Sequence, residues 1–120
     1  MKKIVLVVAV LLGAATMSAA NRVKDNNLEL NVNVDKLSTY LMLDATQSQL
    51  ATDYAEQLNS EIKFAKYAKS SKRARRVQKA VYTNLGQMRY TLSKDQYAKY
   101  LRLMNVTLRN KGLDHYMAEL

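Results

Sequence analysis

Apolar residues recur at intervals of three and four along most of the chain, which is the spacing of one face of an α-helix. A first long helix is predicted from Ala45 to about Lys69. Its apolar stripe consists of Leu50, Tyr54, Leu58, Ile62 and Ala65. A second long helix is predicted from Lys72 to Tyr90, and its stripe has the spacing of a coiled-coil seam. That stripe consists of Ala74, Val77, Val81, Leu85 and Met88.

A third long helix is predicted from Lys94 to Arg109. Its stripe consists of Tyr97, Tyr100, Leu101, Met104 and Leu108. Gly112 then suits the left-handed position that follows a helix, so that Leu113 folds back onto the last turn. The last segment, residues 113–120, is a short C-terminal tail, and the sequence does not decide whether it is ordered. The chain contains no Pro and few Gly residues, which favours long uninterrupted helices.

Upstream of these helices, Leu28 to Val34 alternates apolar and polar residues, a period of two that is typical of a strand. No other segment offers a partner strand. We therefore expect residues 21–34 to form a leader arm that is extended and packs on a neighbour, or is disordered. Asp35 to Met42 places Leu37, Tyr40 and Leu41 at helical spacing, which predicts a short helix.

Two helix starts carry a capping box, in which a cap residue and a Gln three positions later satisfy each other's backbone amides. The residues of the two boxes, each with its preceding apolar residue, are Leu43, Asp44 and Gln47, and Leu92, Ser93 and Gln96. For the remaining long helix, the cap is expected from Ser70 or Ser71. Gly86 lies inside that helix, and a close helix crossing is preferred over a bend as its explanation.

The N-terminus has the pattern of a secretory signal peptide. Lys2 and Lys3 precede an apolar run from Ile4 to Leu12, which is shorter than the roughly 20 residues that span a bilayer. An uncleaved anchor is the less favoured alternative. We expect residues 1–20 to be removed, leaving the leader arm (21–34), a helical domain (35–112) and the tail. A periplasmic location is predicted, with secretion as the alternative.

The absence of cysteine excludes a lipidated N-terminal Cys, disulfides, thiolate metal sites and a cysteine nucleophile. His115 is the only histidine, and it has neither a second His nor a Cys for a zinc site. Asp53, Glu56 and Glu61 are spread around one helix and look like a solvated face. No catalytic residues, metal or cofactor are predicted, and the protein is not expected to be an enzyme.

The strongest functional signal is a run of basic residues that no Asp or Glu interrupts. Its members are Lys63, Lys66, Lys69, Lys72, Arg73, Arg75, Arg76 and Lys79. With Lys2 and Lys3 removed from the 19 basic residues, 17 remain against 10 acidic ones, a formal net charge of +7. The run straddles a turn between two helices. It is either a solvated face or a surface that attracts acidic partners.

Phe64, Tyr67 and Tyr82 are interleaved with this run, which favours acidic or amphiphilic protein clients. An anionic membrane is a second possible partner, although an interfacial helix needs more free bulky residues. Nucleic acid is not expected, because no DNA- or RNA-binding module is recognisable. Of the other tyrosines, Tyr90 and Tyr116 are also expected at the surface.

The two boxes, in a small basic protein with a signal-like leader and no cysteine, resemble the Leu-Thr-x-x-Gln boxes of the Spy/CpxP-like periplasmic family. The match covers about residues 41–112. Asp44 and Ser93 stand where that family has Thr, which preserves the capping chemistry. The resemblance implies an all-α fold of long hairpins, often a cradle-shaped dimer. It also implies an ATP-independent chaperone or envelope-stress role, with clients on a basic, partly apolar face.

The sequence thus predicts an all-α fold of long antiparallel hairpins, with three long helices and a short N-terminal helix, arranged as a cradle or small bundle. A homodimer is expected, since a single core of this size is marginal. The predicted function is chaperone-like holding of unfolded or acidic proteins on the basic surface. The alternative is a structural or regulatory envelope protein that binds one partner or the anionic membrane.

Overall fold

A computed structural model describes residues 28–117 of the chain. Its helices, in chain order, are α1 (Val34–Leu41), α2 (Ala45–Ala65), α3 (Ser70–Thr91), α4 (Lys94–Asn110) and α5 (Asp114–Met117). Residues 28–117 contain no β-strand, and the predicted all-α class is confirmed. The predicted signal peptide, the first part of the leader arm and the last three residues of the tail lie outside the described residues.

α2 and α3 form a long antiparallel hairpin. Hydrogen bonds join Gln47 to the carbonyl of Thr91, Asn84 to that of Tyr54, and Arg73 to that of Ala65. Across these three pairs, the residue numbers increase along α2 and decrease along α3, as expected for antiparallel helices. α4 returns antiparallel to α3 after a turn of two residues, and the helices close into a small bundle of 39 × 29 × 21 Å.

The core lies along the predicted stripes, because the residues that step by three and four face the neighbouring helix. Fully buried positions on these stripes include Leu58, Ile62, Val77, Val81 and Met88. α4 departs from its predicted stripe, since Leu101 is exposed while Leu103 and Thr107 are buried. Within the described residues, no helix has both the length and the hydrophobicity to cross a bilayer.

The described part of the leader arm, residues 28–33, is extended and packs on its own chain. Leu28 and Leu30, two residues apart, point into the core and are almost completely buried. The Leu30 N–H also donates to the Asn59 side chain on α2, over 3.4 Å. The alternating pattern thus marks a half-buried extended segment, and its apolar residues meet helices instead of a second strand.

Both predicted capping boxes are present. At the start of α2, the Asp44 carboxylate accepts from the Gln47 N–H at 2.7 Å, and the Gln47 side chain accepts from the Asp44 N–H at 3.1 Å. The Ser93–Gln96 box at the start of α4 is closed in the same way. The boxes lie at one end of the bundle. The α2–α3 turn, residues 66–69, lies at the other end, about 30 Å away along a helix of this length.

The end of α4 follows the prediction. Gly112 has a positive φ of 72°, and the Leu113 N–H bonds back to the Leu108 carbonyl over 2.8 Å. Leu113 is completely buried, so the chain turns there and continues as α5. α1 ends with the same pattern of bonds, but its left-handed residue is Met42, with φ 57°, where the prediction continued the helix.

Two expectations for α3 are wrong. Its N-cap is Lys69, which makes no side-chain capping bond, and Ser70 is already inside the helix. The expected close helix crossing at Gly86 is also absent, because a Cβ added there would meet nothing within 4 Å. Gly86 is exposed on a helix that continues through it without interruption.

Candidate functional site

The α2–α3 turn holds the basic run in place because small and apolar residues anchor the helices on both sides. Ile62 and Ala65 at the end of α2 are completely buried, as is Val77 near the start of α3. Ala80, 2 % exposed, lies one turn further along α3. These buried positions fix the rotation of both helices, so the residues between them point outward.

A shallow groove lies between the two helices beside this turn. Glu61 and Phe64, three residues apart on α2, line it from one helix. Arg76, Lys79 and Ala80 line it from α3, and the groove holds about 290 Å³. We call these five residues the groove. They combine an aromatic wall, a small floor residue, two cations and one carboxylate.

Aromatic rings stand exposed next to the groove. The Phe64 side chain, near the end of α2, is 65 % exposed, and that of Tyr67, in the α2–α3 turn, is 74 % exposed. Their ring centroids are 6.3 Å apart, and the Lys66 Nζ lies 5.2 Å from the centre of the Tyr67 ring. Apolar and cationic groups therefore meet at one end of the molecule.

Most of the cations in the run are exposed to solvent. Within residues 28–117, their side chains form no hydrogen bond or ion pair, so their charge is available to a partner. The cations to which this applies are Lys63, Lys69, Lys72, Arg75, Arg76 and Lys79. Glu61 accepts a hydrogen bond from Gln57 at 3.2 Å and pairs with none of them.

Arg73 differs from its neighbours because it terminates α2. Its guanidinium donates to the carbonyls of Ala65, Lys66 and Ala68 over 3.0 to 3.3 Å. The carbonyls of Ala65 and Lys66, at the last residue and the C-cap of α2, are among those that a helix end leaves without an intrahelical partner, and Ala68 lies in the turn itself. Arg73 thus holds the α2–α3 turn in shape, in addition to its charge.

The start of α3 is electrostatically unusual. A helix N-terminus carries a partial positive charge, so acidic residues and side-chain caps normally stabilise it. α3 has neither an acidic residue in its first turn nor a capping side chain, and Lys72 and Arg73 occupy that turn. Because α2 and α4 both start with complete boxes, the unfavourable charge is confined to the end of the bundle that carries the groove.

The structure brings Phe64, Arg76 and Lys79 of the predicted binding residues into the groove, and places Tyr67 beside it. Tyr82 is exposed further along α3 and does not line the groove. The prediction for Tyr116 is wrong, because it is buried against α3 and its carbonyl accepts from Gln78 at 2.7 Å.

Sequence reasoning missed Glu61 and Ala80 as groove residues. Glu61 was attributed to a solvated face, yet it lies three residues before Phe64 and therefore on the same side of α2. Ala80 follows Arg76 by four residues on α3. A helical projection would have grouped Glu61 with Phe64 on α2, and Arg76 with Lys79 and Ala80 on α3, but only the packing of the two helices brings these groups together.

The groove offers binding groups without a nucleophile. It can attract anions through Arg76 and Lys79 and can cover an apolar side chain with Phe64 and Ala80. Within residues 28–117, no three or more His, Asp or Glu residues cluster to hold a metal ion. His115 lies on α5 with its ring centroid 4.0 Å from that of Tyr116, and it does not line the groove.

No known protein family, curated protein or solved structure matches this chain. The resemblance to the Spy/CpxP-like family therefore stays a prediction from the two boxes. The site has to be interpreted from its own geometry and charge.

Proposed function

We propose that the protein is a non-enzymatic binding protein that holds unfolded or acidic segments of other proteins at its basic end. The observation that carries this proposal is the groove, where the unpaired cations Arg76 and Lys79 lie beside the exposed ring of Phe64. Electrostatic attraction through such a surface speeds encounter and weakens with salt. Exposed aromatic rings supply the apolar contact that an unfolded chain requires.

The unfavourable start of α3 supports a binding role. Local rules that are broken without compensation in the fold are concentrated at functional sites. A solvated face needs no such concentration of charge at an uncapped helix start, while a surface for anionic segments gains from it. We also propose that the protein acts in the periplasm after export, as a homodimer of the Spy/CpxP-like kind. The predicted signal peptide and the two capping boxes support this proposal.

An aggregation assay with a denatured test protein, at about 20 and about 300 mM salt, tests the proposal. We expect the purified protein to delay aggregation at low salt and to lose most of this effect at high salt. The double variant Arg76→Gln, Lys79→Gln should lose the effect at low salt. Lys99→Gln, Arg102→Gln is the matched control, since it removes one Lys and one Arg, three residues apart, from the exposed side of α4.

Equal loss in both double variants would assign the effect to net charge alone and contradict the role of the groove. Absence of any delay at both salt concentrations would contradict the holding function.

A second candidate, binding to an anionic membrane, is favoured by the exposed pair Phe64 and Tyr67 beside Lys66. Sedimentation with vesicles containing anionic lipid, and no delay of aggregation, would support that candidate.

A further inference from the structure

The composition of the groove indicates which segments of a client fit it. Arg76 and Lys79 lie one turn apart on α3, while Glu61 faces the same space from α2. Phe64 and Ala80 supply the apolar part of the lining. The groove therefore presents positive charge on one helix, negative charge on the other, and an apolar surface in the same space.

The size of the groove limits what it can hold. Its volume of about 290 Å³ lies at the lower end of the range for small-molecule sites. The groove therefore has room inside it for one or two side chains of a bound segment. A bound segment must place its charged and apolar groups next to each other to reach both parts of the lining.

We infer that the groove selects segments in which one carboxylate adjoins a bulky apolar side chain, in preference to uninterrupted acidic runs. The carboxylate is bound by the guanidinium of Arg76, which can form two parallel hydrogen bonds, and by Lys79. The neighbouring apolar side chain packs on Phe64 and Ala80. This inference rests on the proposed function and states the chemistry of its ligand.

Glu61 is the residue that disfavours acidic runs. It is partly buried and held by Gln57, so a second carboxylate entering the groove would lie near a fixed negative charge. Like charges placed together cost binding free energy, so each further carboxylate of an acidic run adds repulsion from Glu61. A flat, fluid lipid surface makes no use of this arrangement, because its head groups cannot place one charge and one apolar group inside a concave site.

Binding of short labelled peptides, followed by fluorescence anisotropy at low salt, tests the inference. The peptides share a Gly-Ser background and contain a Glu-Phe pair, a run of four Glu, a Lys-Phe pair, or a Ser-Phe pair. We expect the Glu-Phe peptide to bind most tightly to the purified protein. The Arg76→Gln, Lys79→Gln variant should bind it about fivefold to tenfold more weakly, and Lys99→Gln, Arg102→Gln should bind it normally.

Two further variants separate the apolar and acidic contributions. Phe64→Ser should weaken binding of the Glu-Phe peptide by about tenfold and leave binding of the four-Glu peptide unchanged. Tyr90→Ser is the control, at another exposed aromatic position. Glu61→Gln should tighten binding of the four-Glu peptide by about twofold to fivefold, and it should change binding of the Glu-Phe peptide less. Circular dichroism verifies that each variant keeps its helices.

Equal or tighter binding of the four-Glu peptide to the unmodified protein would overturn the inference, as would equal binding of the Glu-Phe and Lys-Phe peptides. Displacement of the Glu-Phe peptide by anionic vesicles, but not by a denatured protein, would also overturn it and assign the site to a membrane. If aggregation is delayed in a groove-dependent way while the peptides are not discriminated, the inference fails and the proposed function stands. If aggregation is not delayed, the proposed function fails independently of the peptide result.

Discussion

At the scale of single residues, the Tyr100 hydroxyl is a buried polar group that needs a hydrogen-bond partner in the core. Tyr100 is buried on α4, and its hydroxyl donates to the Asn84 side chain on α3. Asn84 in turn donates to the Tyr54 carbonyl on α2, over 3.4 Å, so one small network links three helices. Burial raises the pKa of Tyr100 above its ordinary value, because the phenolate would lose its hydration in the core.

The raised pKa predicts a loss of stability at alkaline pH. The folded state retains the Tyr100 proton more tightly than the unfolded chain, in which tyrosine titrates near pH 10. The stabilisation is therefore complete below about pH 10 and is lost as the pH rises further, by up to about 1.4 kcal/mol per pH unit. Urea unfolding between about pH 8 and 11.5 should show this decline.

Tyr100→Phe removes the titrating group, so its unfolding free energy should fall less steeply above pH 10 than that of the unmodified protein. At neutral pH the variant should be about 1 to 3 kcal/mol less stable, because the Asn84 side chain loses its partner. Tyr90→Phe, at a residue that is 95 % exposed, is the control and should leave the pH profile unchanged. The same slope in all three proteins would refute the assignment to Tyr100.

The two described glycines should respond oppositely to alanine. Gly86 lies in the exposed middle of α3 with space for a Cβ, so Gly86→Ala should raise the unfolding free energy by about 1 kcal/mol. Gly112 has a φ of 72°, which alanine tolerates poorly, so Gly112→Ala should lower it by about 1 to 2 kcal/mol. Thermal unfolding measures both. Destabilisation by Gly86→Ala would show that the helix needs glycine there for a reason other than space.

At the scale of elements, hydrogen bonds connect the two capping boxes to each other and to the neighbouring helix ends. The Gln47 side-chain amide donates to the Thr91 carbonyl at 3.2 Å and to the Gln96 Oε1 at 3.0 Å. The Gln96 amide donates to the Leu41 carbonyl at 3.1 Å. Each glutamine therefore completes its own box and also satisfies the end of the helix that precedes the other box.

This reciprocity predicts that the two glutamines are energetically coupled. Gln47→Ala and Gln96→Ala should each lower the unfolding free energy by about 1 to 2 kcal/mol. The double variant should lose less than the sum, with a coupling energy of at least about 0.5 kcal/mol and no larger than the smaller single effect. Gln49→Ala, at an exposed position in the first turns of α2, is the control. Additive single effects would show that each box acts alone.

The boxes also show what local sequence can predict. A cap and its glutamine are three residues apart, so their bonds could be predicted without knowledge of the fold. The bond from Gln47 to the Thr91 carbonyl spans 44 positions of the chain, and the bond from Gln96 to the Leu41 carbonyl spans 55, so no local pattern indicates them. The start of α3 was mispredicted because the serines have the chemistry of cap residues, yet Ser70 already lies inside the helix and the N-cap Lys69 makes no side-chain capping bond.

The candidate site was predictable to a similar degree. The basic run and its aromatic residues are visible in the sequence, and Phe64, Arg76 and Lys79 do lie together. The separate role of Arg73 is invisible there, since its partners are backbone carbonyls that become available only when α2 ends at Ala65. Periodicity likewise failed at Leu101, because the position of α4 against its neighbours favours Leu103.

At the scale of the whole molecule, the leader arm completes the core. Leu28 and Leu30 are as deeply buried as the central residues of the long helices, and Leu30 is held by Asn59 on α2. Alternation in the sequence predicted an extended segment, but the hydrogen bond that holds it to α2 comes from Asn59, 29 positions along the chain from Leu30. The arm, the hairpins and α5 therefore share one core, and such a domain is expected to unfold cooperatively.

Leu30→Ala tests this cooperativity. Because Leu30 is completely buried, the substitution leaves a cavity and should lower the unfolding free energy of the whole bundle by about 2 to 5 kcal/mol. Glu29→Ala, at the adjacent exposed position, should change it by less than about 0.5 kcal/mol. Urea unfolding followed by circular dichroism and by tyrosine fluorescence should give coincident transitions in both variants. A helical transition that is unaffected by Leu30→Ala would show that the arm is a separate element. The helices would then form a stable core without the contacts of the arm.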